Sequence, residues 1–150
     1  MKYFKFLLII IFLNSLPAVA QGGGYKQKTQ VDKVIISAKW RKEKPLKRDS
    51  KYLLYLQLRN LNNYQVKVNF EVVYYWKAQF HSSSGIKTYC LRPTSKIKGK
   101  KWNLAFTSEF IIDNKFLDPL FYWDIGNFEV IKDSTCTPAL ELRIEPSNES

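Results

Sequence analysis

Between Val66 and Trp76 every second residue is apolar. Val66, Val68, Phe70, Val72, Tyr74 and Trp76 share one parity, and Lys67, Asn69 and Glu71 share the other. Side chains alternate across a strand, so this run sets six apolar groups on one face and polar groups opposite. A helical period of 3.6 would scatter Lys67, Asn69 and Glu71 through the apolar stripe. Val73 and Tyr75 interrupt the polar face late in the run, which predicts cover on both sides there. Upstream, residues 52–58 form a second apolar run, separated from the first by Arg59-Asn60-Leu61-Asn62-Asn63. Asparagine tolerates left-handed backbone and hydrogen-bonds its own neighbours, so the two runs are expected to form a hairpin closed by a polar turn.

The rest of the chain repeats this style. Val34, Ile36, Ala38 and Trp40 alternate with Ile35, Ser37 and Lys39, giving an earlier strand. Residues 41–51, six of them Lys or Arg and interrupted by Pro45, form an exposed loop. His81-Ser82-Ser83-Ser84-Gly85 is a loop cluster, residues 86–91 are a short strand, and residues 95–101 are a basic turn around Gly99. Trp102, Leu104 and Phe106 share one parity and begin a further strand. Apolar residues at 110–112 and 116–117 flank Asp113 and Asn114, and Asp118-Pro119 breaks the chain. Segments 121–125 and 128–131 are separated by Gly126-Asn127, a turn signal. Leu140, Leu142 and Ile144 alternate with Glu141, Arg143 and Glu145 as a last strand. Seven to eight short strands without a helical pattern predict an all-β chain, a single antiparallel β-sandwich.

The strand, Asn-rich turn and strand at residues 58–68 resemble the early strands of immunoglobulin-like or fibronectin-like modules of small exported bacterial proteins. The resemblance implies an immunoglobulin-like sandwich. Cys90 and Cys136 do not sit where an immunoglobulin inter-sheet bridge with its core Trp would place them, so no family function is carried over.

The two ends define the expected organisation. Lys2 and Lys5 precede an unbroken apolar run at residues 6–13, and Ala18-Val19-Ala20 offers a signal peptidase its small residues before Gln21. Residues 1–20 therefore read as a signal peptide, with an apolar run too short for the ~20 residues of a membrane span. No cysteine follows directly, which argues against a lipid anchor. Residues 21–30, with Gly22-Gly23-Gly24, read as a flexible leader, 31–146 as the sandwich domain and 147–150 as a tail. No later stretch is apolar enough to span a bilayer, and the product is expected in the periplasm or secreted. There, two cysteines 46 positions apart favour a Cys90–Cys136 disulfide over the alternative of two buried thiols.

Charge is unevenly spread. Residues 26–101 hold 19 Lys or Arg against four acids, a net +15, and residues 102–150 hold three against nine, a net −6. Such asymmetry suggests an electropositive region, unless strands from the two halves interleave and mix the signs. Candidate anion-binding residues are Arg41, Lys42, Lys44, Lys47 and Arg48 in one loop and Lys96, Lys98, Lys100 and Lys101 in the basic turn. Lysines at strand edges also block edge-to-edge pairing, which is the blander role. Trp102, Tyr122 and Trp123 are candidate aromatic contacts, with core packing favoured for Trp102 by its parity.

Reactive constellations are sparse. His81 is the single histidine, and a neighbouring serine supplies neither an orienting carboxylate nor an oxyanion hole. One histidine and two separated cysteines do not make a four-ligand zinc site, and Gly22–Gly24 precede no strand-loop-helix unit that would cradle phosphate. Asp113, Asp118, Asp124 and Glu129 gather late, where a pair could serve a glycosidase or Asp113 and Asp118 a calcium ion, but none has motif spacing. No catalytic residue, metal or cofactor is assigned. The chain is expected to be a non-enzymatic binding or structural module engaging another envelope or extracellular protein, possible strand addition included. The alternatives are an anionic-polymer binder (lipopolysaccharide, acidic glycan or nucleic acid) using the basic loops and a carbohydrate-binding module using the aromatics.

Overall fold

The computed structural model describes residues 24–107 and 118–137. The expected signal peptide, Asp113, the apolar residues at 110–112 and 116–117 and the strand expected at residues 140–144 lie outside them. In chain order the strands are β1 (Lys26–Val31), β2 (Val34–Lys42), β3 (Tyr52–Asn60), β4 (Val66–Trp76), β5 (Gln79–Ser83), β6 (Lys87–Leu91), β7 (Lys96–Lys98), β8 (Ala105–Phe106) and β9 (Phe121–Lys132). They form two antiparallel sheets. In the first, β3 is central: β2 pairs with its whole length, β7 and β8 share its other edge, and β1 lies outside β2. In the second, β4 is central: β9 runs along one edge, and β6 then β5 along the other.

The two most legible strands are therefore not a hairpin, because β3 and β4 belong to different sheets. The Asn-rich link between them is a buried corner rather than a turn. Asn60 and Asn62 are both inaccessible, at 0% and 5% exposure. The Asn60 amide donates to the carbonyls of Tyr64 (2.9 Å) and Arg92 (3.0 Å), and its Oδ1 accepts from the Asn62 backbone N–H (2.9 Å). Asn62 Nδ2 donates to the Asp32 carbonyl at 2.8 Å, reaching the β1–β2 turn. Asparagine supplies two donors and an acceptor, so it can satisfy several buried backbone groups where three connections converge.

Parity explains how the sheets meet. Ile36, Leu54, Leu56, Leu58, Val66, Val68, Phe70, Val72, Tyr74 and Leu91 form one buried cluster drawn from both sheets. Burying each such large side chain contributes about 1.5–3 kcal/mol. Rings cross the interface: Phe70 of β4 meets Phe106 of β8 at 6.2 Å, and Trp40 of β2 meets Trp123 of β9 edge-on at 6.4 Å. Tyr89 stacks on Phe70 at 5.5 Å and donates its hydroxyl to the Asn103 carbonyl, and burial pushes its phenol up to about 12. The late outward residues of β4 are covered as expected, with Val73 at 7% exposure and Tyr75 stacked on Tyr122 at 4.4 Å.

Four other expectations are corrected. The leader ends sooner than residue 30, because Lys26–Val31 folds back on β2 through Asp32 and Lys33, both at positive φ (43° and 60°). Its polar composition hides a strand that lies at the rim of its sheet, from which Lys28 reaches Asp124 at 3.2 Å. His81 lies in β5 rather than in a loop, since Lys77 and Ala78 (φ 49° and 63°) turn the chain tightly after Trp76. Both turns have the twist of two-residue hairpins without the glycine that usually announces them. Trp102 ends a 3-10 turn (Lys100–Trp102) instead of opening a strand, while Leu104 and Phe106 are buried beyond it.

The fourth correction concerns Gly126-Asn127. β9 continues through this pair: Gly126 lies opposite Glu71, and Asn127, at φ 50°, forms with Phe128 a bulge opposite Phe70. An extra residue reverses strand parity, so Phe121, Trp123 and Ile125 face the core before it, and Phe128 and Val130 after it. Gly126 suits this close approach, since a Cβ there would lie 3.0 Å from the Val73 side chain. Beyond β9, Cys136 sits at bonding distance from Cys90 of β6, with Cα atoms 5.8 Å apart. Closing 46 residues in this way contributes about 4 kcal/mol by chain-entropy reasoning.

Removing Asn127 is expected to abolish cooperative urea unfolding, because half of β9 would present the wrong face. Asn127→Gly, which keeps the left-handed conformation open, should stay within about 1 kcal/mol of the parent. Asn60→Ala should cost about 2–4 kcal/mol by leaving buried polar groups unpaired, against about 0.5 kcal/mol or less for the exposed Asn63→Ala. Equal losses at residues 60 and 63 would contradict the corner.

Candidate functional site

The inward parity of the first sheet is apolar, and on β2, β3 and β7 its outward parity carries Lys39, Arg41, Arg59, Lys96 and Lys98 and no acid, among Ile35, Ser37, Leu53, Tyr55 and Gln57. Register places Lys39 beside Tyr55, Arg41 beside Leu53 and Gln57 beside both Ser37 and Lys98. Arg59 of the central strand lies directly opposite Lys96 of β7. Like charges so placed repel across the 4.5–5.5 Å that typically separates cross-strand Cβ atoms. Arg41, Arg59, Lys96 and Lys98 are all exposed, and none of Arg59, Lys96 and Lys98 forms an ion pair among the described residues.

Tyr25 lies on this face, just before β1. Lys39 Nζ sits 4.5 Å from its ring centroid, and its hydroxyl comes within 3.9 Å of where a Gly99 Cβ would stand. Tyr55 is 3.5 Å from the same point, so both tyrosines pack around Gly99, whose φ of 70° also favours glycine. Burial, reinforced by Tyr55, pushes the Tyr25 phenol up against the opposing pull of Arg41.

The two basic loops meet beside this face. Lys100 donates to Glu43 Oε1 at 2.8 Å, and Lys51 Nζ lies 3.7 Å from Glu43 Oε2. Glu43 thus bridges the β2–β3 loop to the turn after β7. The hydrogen bond from Lys100, then the charges of Lys100, Lys51 and Lys44, hold its carboxyl below the usual carboxylate range. Reciprocally, the Glu43 hydrogen bond raises Lys100. Within the loop, Lys44 N–H donates to Ser50 Oγ (2.7 Å) and Lys42 Nζ to the Arg48 carbonyl (3.1 Å).

The expected residues divide accordingly. Arg41, Lys96, Lys98 and Lys100 lie on or beside the face, with exposed Lys44, Lys47 and Arg48 in the adjoining loop. Lys42 has the opposite parity and lies near the Tyr52 ring at 5.8 Å, and Lys101 lies 5.5 Å from the Trp102 ring. Lys39, Arg59, Tyr25 and Tyr55 were not singled out. The signal for three of them was available in the odd parity opposite Ile36, Leu54, Leu56 and Leu58. Tyr25 had no such signal, because its strand was read as leader.

The aromatic candidates do not converge. Trp102 is half-buried against the core, Trp123 is inside with Lys28 4.8 Å from its ring, and Tyr122 is on the outer face of the other sheet. There Phe80, Tyr75 and Tyr122 form one cross-strand row. Among the late carboxylates, Asp118 accepts from the Leu120 N–H, Asp124 pairs with Lys28, and Glu129 accepts from Asn69. Asp113 lies outside the described residues. No group of three or more His, Cys, Asp or Glu suited to a metal occurs among the described residues. No helix there is long and apolar enough to cross a membrane. No protein-family model, curated protein or solved structure matches the chain.

An NMR titration should place the Glu43 carboxyl midpoint below the ordinary 4.5, so that the bridge holds at neutral pH and is lost as acid protonates Glu43. Lys100→Met should move that midpoint upward. An unchanged midpoint would show that the loops are not joined here.

Proposed function

We propose that this chain is a non-enzymatic binding module that holds an anionic partner on the outer face of β2, β3 and β7. The observation that carries this is the Arg59–Lys96 pair, with Lys98 next along β7 and Lys39 and Arg41 further along β2 on the same outward parity. Opposed cations raise the local potential and are relieved when an anion neutralises them. All the strands of this face lie between residues 26 and 98.

The finer fold belongs to the same proposal. The sheet orders β2-β3-β7 and β6-β4-β9 follow the A-B-E and C′-C-F neighbours of an immunoglobulin-like sandwich, with β1 as an addition. An extracytoplasmic location is supported by residues 1–20 and by the cysteine pair, since disulfides persist in oxidising compartments. Engagement of a protein is the second reading, and the exposed Phe80 and Tyr122 on either side of the half-buried Tyr75 favour it.

Retention on a heparin matrix tests the face. Arg59→Glu with Lys96→Glu and Lys98→Glu should lower the slope of log affinity against log salt by roughly one per residue. Lys67→Glu with Lys77→Glu and Lys87→Glu changes net charge equally, away from that face, and should elute near the parent. Coincident elution of the two variants would reduce the interaction to net charge and remove the site.

A further inference from the structure

We propose that the anion held on this face is an acidic polysaccharide rather than a single-stranded nucleic acid. This rests on the face being an anion-binding surface and names the ligand it takes. Proteins that hold single strands without sequence preference set aromatic rings beside their cations, and successive bases stack on them. The rings here are committed differently. Tyr25 has Lys39 Nζ at 4.5 Å from its centroid, and Tyr25 and Tyr55 both close on Gly99. The cationic rows themselves contain amides. Gln57 sits beside Lys98, and Gln30 flanks Ile35, whose other neighbour is Arg59. Gln27 follows on the same rim strand, and Gln27 and Gln30 are exposed.

An amide donates and accepts, which matches the hydroxyls of a sugar ring, while Lys and Arg match its carboxylate or sulfate. Strand geometry then sets the repeat: Lys96 and Lys98 are two residues apart, about 6.6–6.8 Å, and neighbouring strands add steps of about 4.8 Å. A linear polymer crossing the strands meets the amides Gln27 and Gln30 on the rim strand, then Gln57 and Arg59 on β3, and Lys96 and Lys98 on β7. A stacking polymer finds charges without a platform. Charge complementarity supports the glycan and the committed rings disfavour the strand of bases.

The test compares polygalacturonate and heparin oligosaccharides with an oligothymidylate of equal charge number, by titration calorimetry at about 150 mM salt. At least one acidic oligosaccharide should bind tenfold or more tighter than the oligothymidylate. Gln30→Ala with Gln57→Ala should weaken that glycan several-fold while leaving the weak oligothymidylate binding unchanged. Circular dichroism would confirm that the variant keeps the parent's strand signature. Equal or tighter binding of the oligothymidylate would overturn the glycan assignment while leaving the anion-binding face intact. Binding of none of the probes, or binding that survives Arg59→Glu, Lys96→Glu and Lys98→Glu, would overturn both.

Discussion

The fold depends on one constraint, the period of two along β4. This strand is paired on both edges, with β9 on one side and β6 and β5 on the other, so its backbone groups are satisfied within the sheet. Its inward residues, from Val66 to Tyr74, are all at or near zero exposure. A slip of one residue would exchange Val68 and Phe70 for Lys67 and Asn69 in the core. Every neighbour must match that parity, and β9 does so only through its bulge. Asn127 is thus not a flaw in a strand but the residue that lets two apolar halves of opposite parity serve one core.

The same period decides where charge goes. With one parity committed to the interior, ionisable side chains must leave on the other. Sheet order then sorts the uneven charge of the chain. The second sheet interleaves both halves, with β9 against β4, and its outer face sets Glu71 and Glu129 on the same side as Lys67, Glu71 accepting from Ser83 and Asn127 and Glu129 from Asn69. The first sheet takes β1, β2, β3 and β7 from the basic part, and only the uncharged β8 from beyond it. Mixing of signs therefore occurs on one face and not on the other. A sequence total cannot express that difference.

Strand identity was legible wherever a strand is strictly amphipathic, as in β2, β3 and β4, because period and burial coincide there. Partnership was not. The hairpin expected of β3 and β4 failed because two adjacent amphipathic strands fit equally well as neighbours in one sheet or as facing members of two. The choice lies in Asn60 and Asn62, whose side chains satisfy a corner rather than a turn. β1 and β5 escaped notice because their turns use Asp32-Lys33 and Lys77-Ala78, where a sequence reader looks for Asn-Gly. The basic loops were visible as composition. Their contact through Glu43 was not, since it joins residues 57 positions apart. Arg59 was passed over because it was assigned to the supposed turn.

Edge protection is the structural role that competes for these cations, and strand position separates the two. Lysines on β7 fit either explanation, because β7 lies beside β3 at the side of the sheet away from β1. Arg59 does not. It stands on β3, paired on both sides by Ile35 and Lys96, where there is no open edge to protect. Lys39 and Arg41 stand on β2 beyond the last β1 pair, Lys26 with Ala38, so edge protection remains open to them as it does to the β7 lysines, which leaves Arg59 as the deciding cation. An outward position on an enclosed strand accepts almost any polar residue, and a cation facing another cation is among the least stabilising choices. On the proposed reading, a residue that burdens the sheet without protecting an edge is offset by the anion the face would hold. That is why the Arg59–Lys96 pair on the central strand, more than the lysines at the open edges, is what the proposal of an anionic ligand rests on.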